Sequence, residues 1–428
     1  FVAIDAEWGL SMRLDSTYVF PWNMTLGAIQ DLDLIEKLGK NMGAESKRMG
    51  IHFNFAPVLD INTNPKNPII GNRSFGENKR NVSDKAAALM KGVQGQGVFS
   101  TGKHFPGHGD TSTDSHYTLP LVDFSKERID MVELYPYKRM FDEGLVSVMV
   151  GHLNIPSLES KENHPSSASY NIVTNLLQNQ LGFDGLIFTD GLAMKGATNF
   201  KGPGDLELAV LLAGNDIFLG PNDEVAGLKK METFYNEGIL TEERLAHSVK
   251  KILHYKFKAG LNKYKPIDTA NLSTDLNPSE NDALSYQLYE NAITVLKNEK
   301  EILPIKNLNQ KIAYVKLGDD VNSTFVSTLK KYTEVTEVFH THIDSLNNEL
   351  KKYETVIIGF HKLNKTWEKQ NFTETELLWL QEIAKHNKVI LDIFTKPYSL
   401  LPITNFDAIE GLVVSYQNSD ISQIVSAE

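Results

Sequence analysis

Residues 97–116 read GVFSTGKHFPGHGDTSTDSH, a short β-rich run followed by a loop crowded with ionisable side chains. Residues 97–102 predict a strand, because Val, Phe and Thr favour extended structure. Residues 103–116 hold three histidines, two aspartates and one lysine, together with Pro106, Gly107 and Gly109. The interior of a helix or strand does not tolerate a proline and two glycines so close together, so the cluster is a loop. It leaves the carboxyl end of a strand, where barrels and open α/β sheets bind ligands.

The loop allows more than one chemistry. His104 and His108 are four residues apart, but the Pro-Gly pair between them prevents the helical turn that would aim both rings at one zinc ion. A loop-built metal site that uses His104, His108, Asp114 and His116 stays open. Asp114 lies two residues from His116 and can accept its Nδ1 proton, which leaves Nε2 for proton transfer. In the plainest alternative, these groups only hydrogen-bond the backbone around two glycines.

Short apolar runs alternate with helical patterns through the first 260 residues. The predicted strands are residues 1–5, 52–59, 99–104, 146–152, 186–190 and 216–219. Helical spacing recurs between them, as in residues 84–93, 126–141 and 171–181. Repeated strand–loop–helix units predict a parallel sheet and, at this length, a (β/α)8 TIM-like barrel. Because six strands are visible, we expect the N-terminal strand–helix unit of the barrel to precede Phe1, and any signal peptide with it.

Ionisable residues follow the predicted barrel strands. They are Asp5, Asp60, Lys103 with His104, His152 and Asp190. Because the carboxyl ends of parallel strands meet at one rim of a barrel, we expect these side chains to converge. Asp190 also precedes Gly191, which would allow close approach of a substrate. The alternative role for Asp190 is that of an N-cap for the next helix.

A second domain follows the barrel. We assign residues 1–261 to the barrel, the polar residues 262–282 to a linker and residues 283–428 to a smaller, doubly wound α/β sandwich domain, whose completeness the sequence leaves open. Its predicted strands are residues 311–317, 335–340, 355–360, 389–394 and 411–415. The chain has no glycine-rich dinucleotide fingerprint and no phosphate-binding loop, so no nucleotide cofactor is indicated.

Composition narrows the class of protein. The chain has 428 residues, 41% of them hydrophobic, and a net charge of −11, which disfavours a nucleic-acid or anionic-membrane surface. No apolar run reaches the ~18 residues of a membrane span. The absence of cysteine excludes disulfides, thiolate metal ligands and a cysteine nucleophile. Cysteine usage does not fix the compartment. We expect an extracytoplasmic location rather than a cytoplasmic one.

The run KHFPGHGDTSTDSH resembles the signature loop of glycoside hydrolase family 3, in its β-N-acetylglucosaminidase branch. The β-glucosidase branch keeps the Lys-His-Phe start but lacks the later Asp-x-His. Residues 189–194, TDGLAM, resemble the nucleophile motif of the same family. The resemblance implies a retaining glycosidase in which Asp190 is the nucleophile and Asp114 with His116 is the acid/base dyad.

The same resemblance implies that Asp5, Arg73, Lys103 and His104 bind the sugar, although Arg73 fits a structural salt bridge equally well. Family members commonly read Asp-Gln-Glu-Gly-Gly-Arg where this chain has Asp-Ala-Glu-Trp-Gly-Leu. Trp8 therefore either stacks on a substrate or fills the core. Asp223 and Glu224 suit a helix start better than a substrate-assisted site.

The implied substrate is a peptidoglycan fragment, or muropeptide, with a terminal N-acetylglucosamine, and a chitin-derived oligosaccharide is the nearest alternative. No metal or other cofactor is implied. The competing hypotheses are a metal-dependent hydrolase that uses the histidine loop, a β-glucosidase of the same fold, and a non-catalytic sugar-binding module. The sequence leaves the oligomeric state open.

Overall fold

The computed structural model describes residues 1–221, 223–365 and 370–428. The chain forms two compact units, one of residues 1–23 and 31–278, the other of residues 24–30 and 279–428. The domain limits expected from the sequence stay a prediction. No helix within the described ranges has the length and apolar character needed to cross a membrane.

The first unit contains a sheet of parallel strands that follow one another in chain order. The strands are β1 (Ala3–Ile4), β2 (Phe53–Asn54), β3 (Phe99–Phe105), β4 (Ser147–Val150), β5 (Leu186–Gly191) and β6 (Ile217–Leu219). Each coincides with a predicted apolar run. Parallel strands in sequential order are the arrangement of a TIM-like barrel, which confirms the predicted class of fold.

Helices lie between these strands and after the last of them. They are α1 (Asn23–Ala28, whose last five residues belong to the second unit), α2 (Leu32–Arg48), α3 (Lys79–Gly95), α4 (Lys126–Met131), α5 (Tyr135–Asp142), a π-helix (Asn171–Gln180), α6 (Lys195–Thr198), α7 (Asp205–Ala213), α8 (Glu224–Asn236), α9 (Glu242–Lys258) and α10 (Leu272–Asp275). The single helix predicted over residues 126–141 is two helices. Pro136 lies in the first turn of α5, where its missing N–H is tolerated, and it could not continue α4.

Large apolar side chains on or next to these strands pack with Tyr255 of α9 in one buried cluster. The cluster comprises Phe53, Phe55, Met149, Leu186, Phe188 and Tyr255. Phe53 packs against Phe99 and Phe188 with ring centroids 5.0 and 5.2 Å apart. The ionisable residues lie beyond this apolar layer, at the carboxyl ends of the strands.

The second unit has a mixed sheet in the order β7-β12-β11-β10-β8-β9. Its strands are β7 (Thr294–Asn298), β8 (Ile312–Gly318), β9 (Val335–Glu337), β10 (Thr355–His361), β11 (Val389–Phe394) and β12 (Ile409–Val414). β7 pairs antiparallel with β12, whereas the other pairs are parallel. The sequence predicted β8 to β12 and missed β7, whose Val295 and Leu296 are more than half exposed.

Helices cover both faces of the second sheet, as in a doubly wound fold. The helices of this unit are α11 (Glu280–Ala292), α12 (Thr324–Leu329), α13 (Ile343–Leu350), α14 (Glu374–His386) and α15 (Asp420–Ala427). Val315 and Ile358 face a core shared with α13 and α14, while Tyr314 and Ile357 face a second core shared with α12. The predicted α/β sandwich and the predicted helix at residues 374–386 are confirmed.

Candidate active site

The carboxyl end of the first sheet gathers a cluster of charged side chains around Glu7. Lys103 Nζ lies 2.7 Å from Asp5 Oδ1 and 2.8 Å from Glu7 Oε1. Arg73 donates to the same Glu7 through Nη2 at 2.7 Å and through Nε at 2.9 Å. The structure thus brings together three of the predicted sugar-binding residues, Asp5, Arg73 and Lys103.

Glu7 holds this cluster together, although the sequence did not single it out. It is completely buried. Burial disfavours its charge, but Arg73 and Lys103 outweigh that effect and lower the pKa of Glu7 to about 2. The carboxylate in turn raises the pKa of both buried cations despite their desolvation. The spacing Asp5-x-Glu7 was the available signal, since residues two apart in an extended chain project to the same side.

Arg73, which the sequence predicted as a sugar ligand, is bound extensively by the protein itself. Besides the hydrogen bonds from its Nε and Nη2 to Glu7, its Nη1 donates to the carbonyl oxygen of Ile69 at 3.2 Å. The Arg73 side chain is 8% exposed, whereas that of Asp5 is 32% exposed. Arg73 therefore forms the structural salt bridge that the sequence had left as an alternative, and Asp5 presents more surface to a ligand.

Asp60 fixes the two histidines at the start of the signature loop. Its Oδ2 lies 2.7 Å from His104 Nδ1, and its Oδ1 accepts from the backbone N–H groups of His104 and His108. Burial opposes ionisation of Asp60, but the two histidines lower its pKa. His104 Nε2 lies 3.3 Å from Arg73 Nη2, so His104 joins the cluster around Glu7.

His108 is buried, and both of its ring nitrogens have partners inside the loop. Nδ1 lies 2.7 Å from Thr111 Oγ1, and Nε2 lies 3.1 Å from Ser115 Oγ. Across the described ranges, no group of three or more His, Cys, Asp or Glu side chains is arranged to hold a metal ion. Hydroxyl groups of the same loop therefore hold the ring of His108 in place.

Asp190 lies in β5 at the same end of the sheet. Its Oδ1 accepts from the N–H of Gly191 at 2.8 Å. Burial opposes its ionisation, but His104, His152, the Gly191 N–H and Lys103 lower its pKa, so it is a carboxylate at neutral pH. The helix-cap alternative does not apply, because the next helix, α6, has Met194 as its N-cap residue.

His152 supports the backbone beside Asp190. It is fully buried, and its ring nitrogens contact Ser167 Oγ at 2.8 Å and the carbonyl oxygen of Gly191 at 3.0 Å. Burial lowers its pKa even though Asp190 acts in the opposite direction. These contacts fit a residue that orients its neighbours.

Asp114 and His116 form a hydrogen-bonded pair on the far part of the loop. His116 Nδ1 lies 2.7 Å from Asp114 Oδ1, which also accepts from the backbone N–H of His116 at 2.8 Å. The His116 side chain is 54% exposed. In residues 1–221, 223–365 and 370–428, no hydrogen bond joins this dyad to Asp190.

The backbone connects the dyad to the segment that follows Asp190. The carbonyl oxygen of His116 accepts from the N–H of Lys195, and that of Ser115 accepts from the N–H of Gly196. Both donors lie in α6, which begins five residues after Asp190. The start of α6 therefore ties the dyad loop to the strand that carries Asp190.

Trp8 and Asp223 have structural roles. Trp8 is buried, and its ring lies 6.4 Å from that of Trp22, so it fills the core rather than lining a binding surface. Asp223 is the N-cap residue of α8 and accepts from the N–H of Ala226 at 2.9 Å. The predicted helix start at Asp223 and Glu224 is confirmed.

Residues 1–255 match the family model described as the glycosyl hydrolase family 3 N-terminal domain. The chain belongs to glycoside hydrolase family 3. This confirms the family that the signature loop predicted.

Curated relatives resemble the chain over much of its length. β-Hexosaminidase A of Pseudoalteromonas piscicida is 33% identical over 347 residues, which are 74% of this chain and 56% of that protein. A β-N-acetylglucosaminidase/β-glucosidase of Cellulomonas fimi is 28% identical over 71% of this chain and 55% of that protein. The chain thus spans a little more than half the length of these two curated relatives.

Solved structures share the fold. A family 3 β-N-acetylglucosaminidase from Paenibacillus sp. str. FPU-7 has a TM-score of 0.81 and 28% identity, over 100% of this chain and 83% of that one. The β-glucoside phosphorylase BglX has a TM-score of 0.85 at 21% identity, over 100% of this chain and 81% of that one. The latter likeness concerns the fold alone.

Proposed function

We propose that the protein is a retaining glycosidase that removes terminal, non-reducing β-linked N-acetylglucosamine. Two relatives support this activity by name, the β-hexosaminidase of Pseudoalteromonas piscicida and the β-N-acetylglucosaminidase of Paenibacillus. The observation that carries the proposal is the 2.7 Å contact between His116 Nδ1 and Asp114 Oδ1 on a half-exposed loop. It presents an imidazole, rather than a second carboxylic acid, as the proton donor.

In the first step, the Asp190 carboxylate attacks C1 of the sugar and forms a glycosyl ester. The bond between C1 and the leaving oxygen breaks, and that oxygen takes the proton of His116 Nε2. Asp114 accepts the Nδ1 hydrogen bond, which fixes the ring orientation and leaves Nε2 as the position for proton transfer. The positive surroundings of Asp190 keep it ionised and ready to attack.

In the second step, water attacks C1 of the glycosyl ester. His116 Nε2 takes a proton from that water, and Asp190 leaves as a carboxylate. The β-configured sugar is released, and both catalytic groups return to their starting protonation states. No metal ion or other cofactor takes part.

The cluster around Glu7 binds the sugar hydroxyl groups in this proposal. Asp5 is the member with the most exposed side chain, and it accepts hydrogen bonds from hydroxyl groups. Lys103 Nζ lies 2.7 Å from Asp5 and holds it in place. The charge of His104 lowers the pKa of Asp190, the reacting carboxylate. Arg73 contributes mainly by holding Glu7.

The proposed activity is tested by comparing kcat/KM for an aryl β-N-acetylglucosaminide and the matching aryl β-glucoside. We expect a marked preference for the N-acetylglucosaminide and no loss of rate in EDTA. Equal kcat/KM values would instead give a dual activity like the one named for the Cellulomonas fimi relative. Loss of activity in EDTA, restored by a divalent metal, would favour the metal-dependent hydrolase.

The natural substrate in this proposal is a peptidoglycan fragment that carries a terminal N-acetylglucosamine. Chitin-derived oligosaccharides are the alternative. Release of N-acetylglucosamine from a purified disaccharide-peptide fragment and from chitobiose, measured side by side, distinguishes the two. A higher kcat/KM for chitobiose would contradict the peptidoglycan assignment while leaving the glycosidase activity intact.

A further inference from the structure

His108 lies between the sugar-binding cluster and the dyad, and the mechanism above gives it no role. Its side chain is buried and its backbone N–H donates to Asp60 Oδ1 at 2.7 Å. The other oxygen of Asp60 binds the ring of His104. One carboxylate therefore fixes the positions of both histidines.

The hydrogen bonds define the tautomer of His108. The hydroxyl of Thr111 donates its single hydrogen to the carbonyl oxygen of His108, so Thr111 Oγ1 accepts from His108 Nδ1. A neutral imidazole has one donor and one acceptor, and hence Nε2 accepts from the hydroxyl of Ser115. Burial lowers the pKa of His108 to about 4 although Asp60 acts in the opposite direction, which keeps the ring neutral.

Ser115 is consequently held from two sides. Its hydroxyl is bonded to His108, and its carbonyl oxygen accepts from Gly196 in α6. Ser115 directly precedes His116, whose half-exposed ring has only the contact with Asp114 to fix its direction within the described ranges. The backbone at Ser115 therefore helps to set where the His116 ring lies, together with the bond from the Lys195 N–H to the His116 carbonyl oxygen.

The loop packs tightly on its inner side. A Cβ atom at Gly109 would lie 1.9 Å from the carbonyl oxygen of Ile61, so only glycine fits at that position. Asn67 donates to the carbonyl oxygen of His108, and Asn64 donates to that of Thr111. The part of the loop that carries His108 is thus anchored, and it can serve as a fixed point for the exposed part.

We propose that His108 is a positioning residue for the acid/base step and that it acts through Ser115 on the Asp114–His116 dyad. This inference rests on the proposed function. His108 does not touch the substrate. It links the Asp60–His104 end of the loop to the backbone at His116. This link keeps the proton donor, His116, correctly placed for the leaving oxygen. A donor displaced by about 1 Å can lose on the order of 10²-fold in rate.

The decisive variant is Ser115→Ala, which removes the hydroxyl that meets His108 Nε2 and leaves every other loop contact in place. Ser115→Thr restores a hydroxyl, and Ser112→Ala removes an exposed hydroxyl of the same loop as a matched control. His108→Asn removes the ring itself, and His116→Ala provides the reference pattern. Single-turnover rates are measured with dinitrophenyl β-N-acetylglucosaminide, which needs little protonation, and with chitobiose, which needs much.

We expect Ser115→Ala to slow glycosyl-enzyme formation from chitobiose by on the order of 10- to 10²-fold and to change the dinitrophenyl rate by less than about threefold. Ser115→Thr should recover most of the chitobiose rate, and Ser112→Ala should match the wild type. If the His108→Asn protein folds poorly, the rates of Ser115→Ala alone test the inference.

A different pattern overturns the inference. Equal losses on both substrates in Ser115→Ala would mean a general structural defect, and unchanged rates would mean that the link to His108 has no catalytic effect. If His116→Ala shows the dependence on the leaving group and Ser115→Ala does not, the positioning role alone fails. If the wild-type protein turns over neither substrate, the proposed function fails and this inference falls with it.

Discussion

Glu7 in the first unit and Asp392 in the second are both almost completely buried, yet their pKa values move in opposite directions. Glu7 has Arg73 and Lys103 as partners, and its pKa falls to about 2. Asp392, in β11, accepts from the hydroxyls of Ser415 at 2.7 Å and Ser426 at 2.5 Å, and burial raises its pKa to about 7.

The difference lies in the partners rather than in the depth of burial. Hydroxyl groups satisfy the hydrogen bonds of a carboxyl group, but they do not compensate its charge in a low-dielectric interior. In the first unit, two buried cations keep the charge at the edge where the candidate catalytic residues gather. In the second unit, burial in the sheet core shifts the carboxyl group of Asp392 towards its neutral form. The buried carboxylate of Glu7 thus stays charged at the edge of the sheet where the proposed catalytic residues lie.

The largest effect on stability is expected for Glu7→Gln. The change keeps the shape of the side chain but leaves Arg73 and Lys103 without their shared carboxylate. We expect a loss of about 3–5 kcal/mol in the first unit, the usual range for breaking a buried ion pair. Hydrogen exchange of peptides from β3, followed by mass spectrometry, measures this loss. A change below about 1 kcal/mol would show that the cluster does not depend on Glu7.

The matching change in the second unit, Asp392→Asn, should increase the stability of that unit at alkaline pH, whereas Glu7→Gln should decrease the stability of the first unit. The folded pKa of about 7 exceeds the ordinary value of 3.8, so the unfolded chain releases its proton first as the pH rises. The stability of the second unit should therefore fall between about pH 4 and pH 7, by on the order of 4 kcal/mol at 1.36 kcal/mol per pH unit.

Asp392→Asn should abolish that slope, which makes the variant more stable than the wild type at pH 8 and no more stable at pH 4. Exchange of β11 peptides at the two pH values, corrected for intrinsic rates, is the measurement. A variant with the same pH slope as the wild type would mean that Asp392 does not carry the effect.

The smallest effect is expected at the surface, where Asp223 caps α8. Asp223→Ala removes one N-cap hydrogen bond and should cost about 1 kcal/mol of helix stability. It should leave kcat/KM for an aryl N-acetylglucosaminide unchanged, as should Glu224→Ala. A large loss of activity in either variant would instead support a mechanism in which this acid pair assists the acetamide of the substrate.

The sequence predicted the parts of the fold that depend on periodic apolar runs. Five of the six predicted strands of the first sheet end at or are followed by an ionisable residue, and this indicated both the strands and their common edge. The runs of the second sheet were equally clear except for β7, which lies at a sheet edge with Val295 and Leu296 exposed and therefore lacks the pattern of a buried strand.

The site was predicted unevenly. Asp190, Lys103, His104 and the Asp114–His116 pair were identified by motif, and the structure places each of them at the carboxyl edge or on its loop. Glu7 was missed because its role comes from Arg73, which lies 66 residues away in the sequence. The ring contacts of His108 were also invisible, since hydroxyl partners three and seven residues downstream have no distinctive pattern.

The most direct test of the proposed mechanism is the reaction of His116→Ala with dinitrophenyl β-N-acetylglucosaminide. General acid catalysis contributes roughly 10²–10⁴-fold, but an acidic phenol leaves without it. The glycosyl-enzyme should therefore form at a nearly normal rate and hydrolyse slowly, which gives a pre-steady-state burst. Mass spectrometry should find one N-acetylglucosamine on the peptide that carries Asp190. An adduct on a different peptide would contradict Asp190 as the nucleophile, and equal loss of dinitrophenyl and disaccharide substrates without any adduct would contradict His116 as the acid/base.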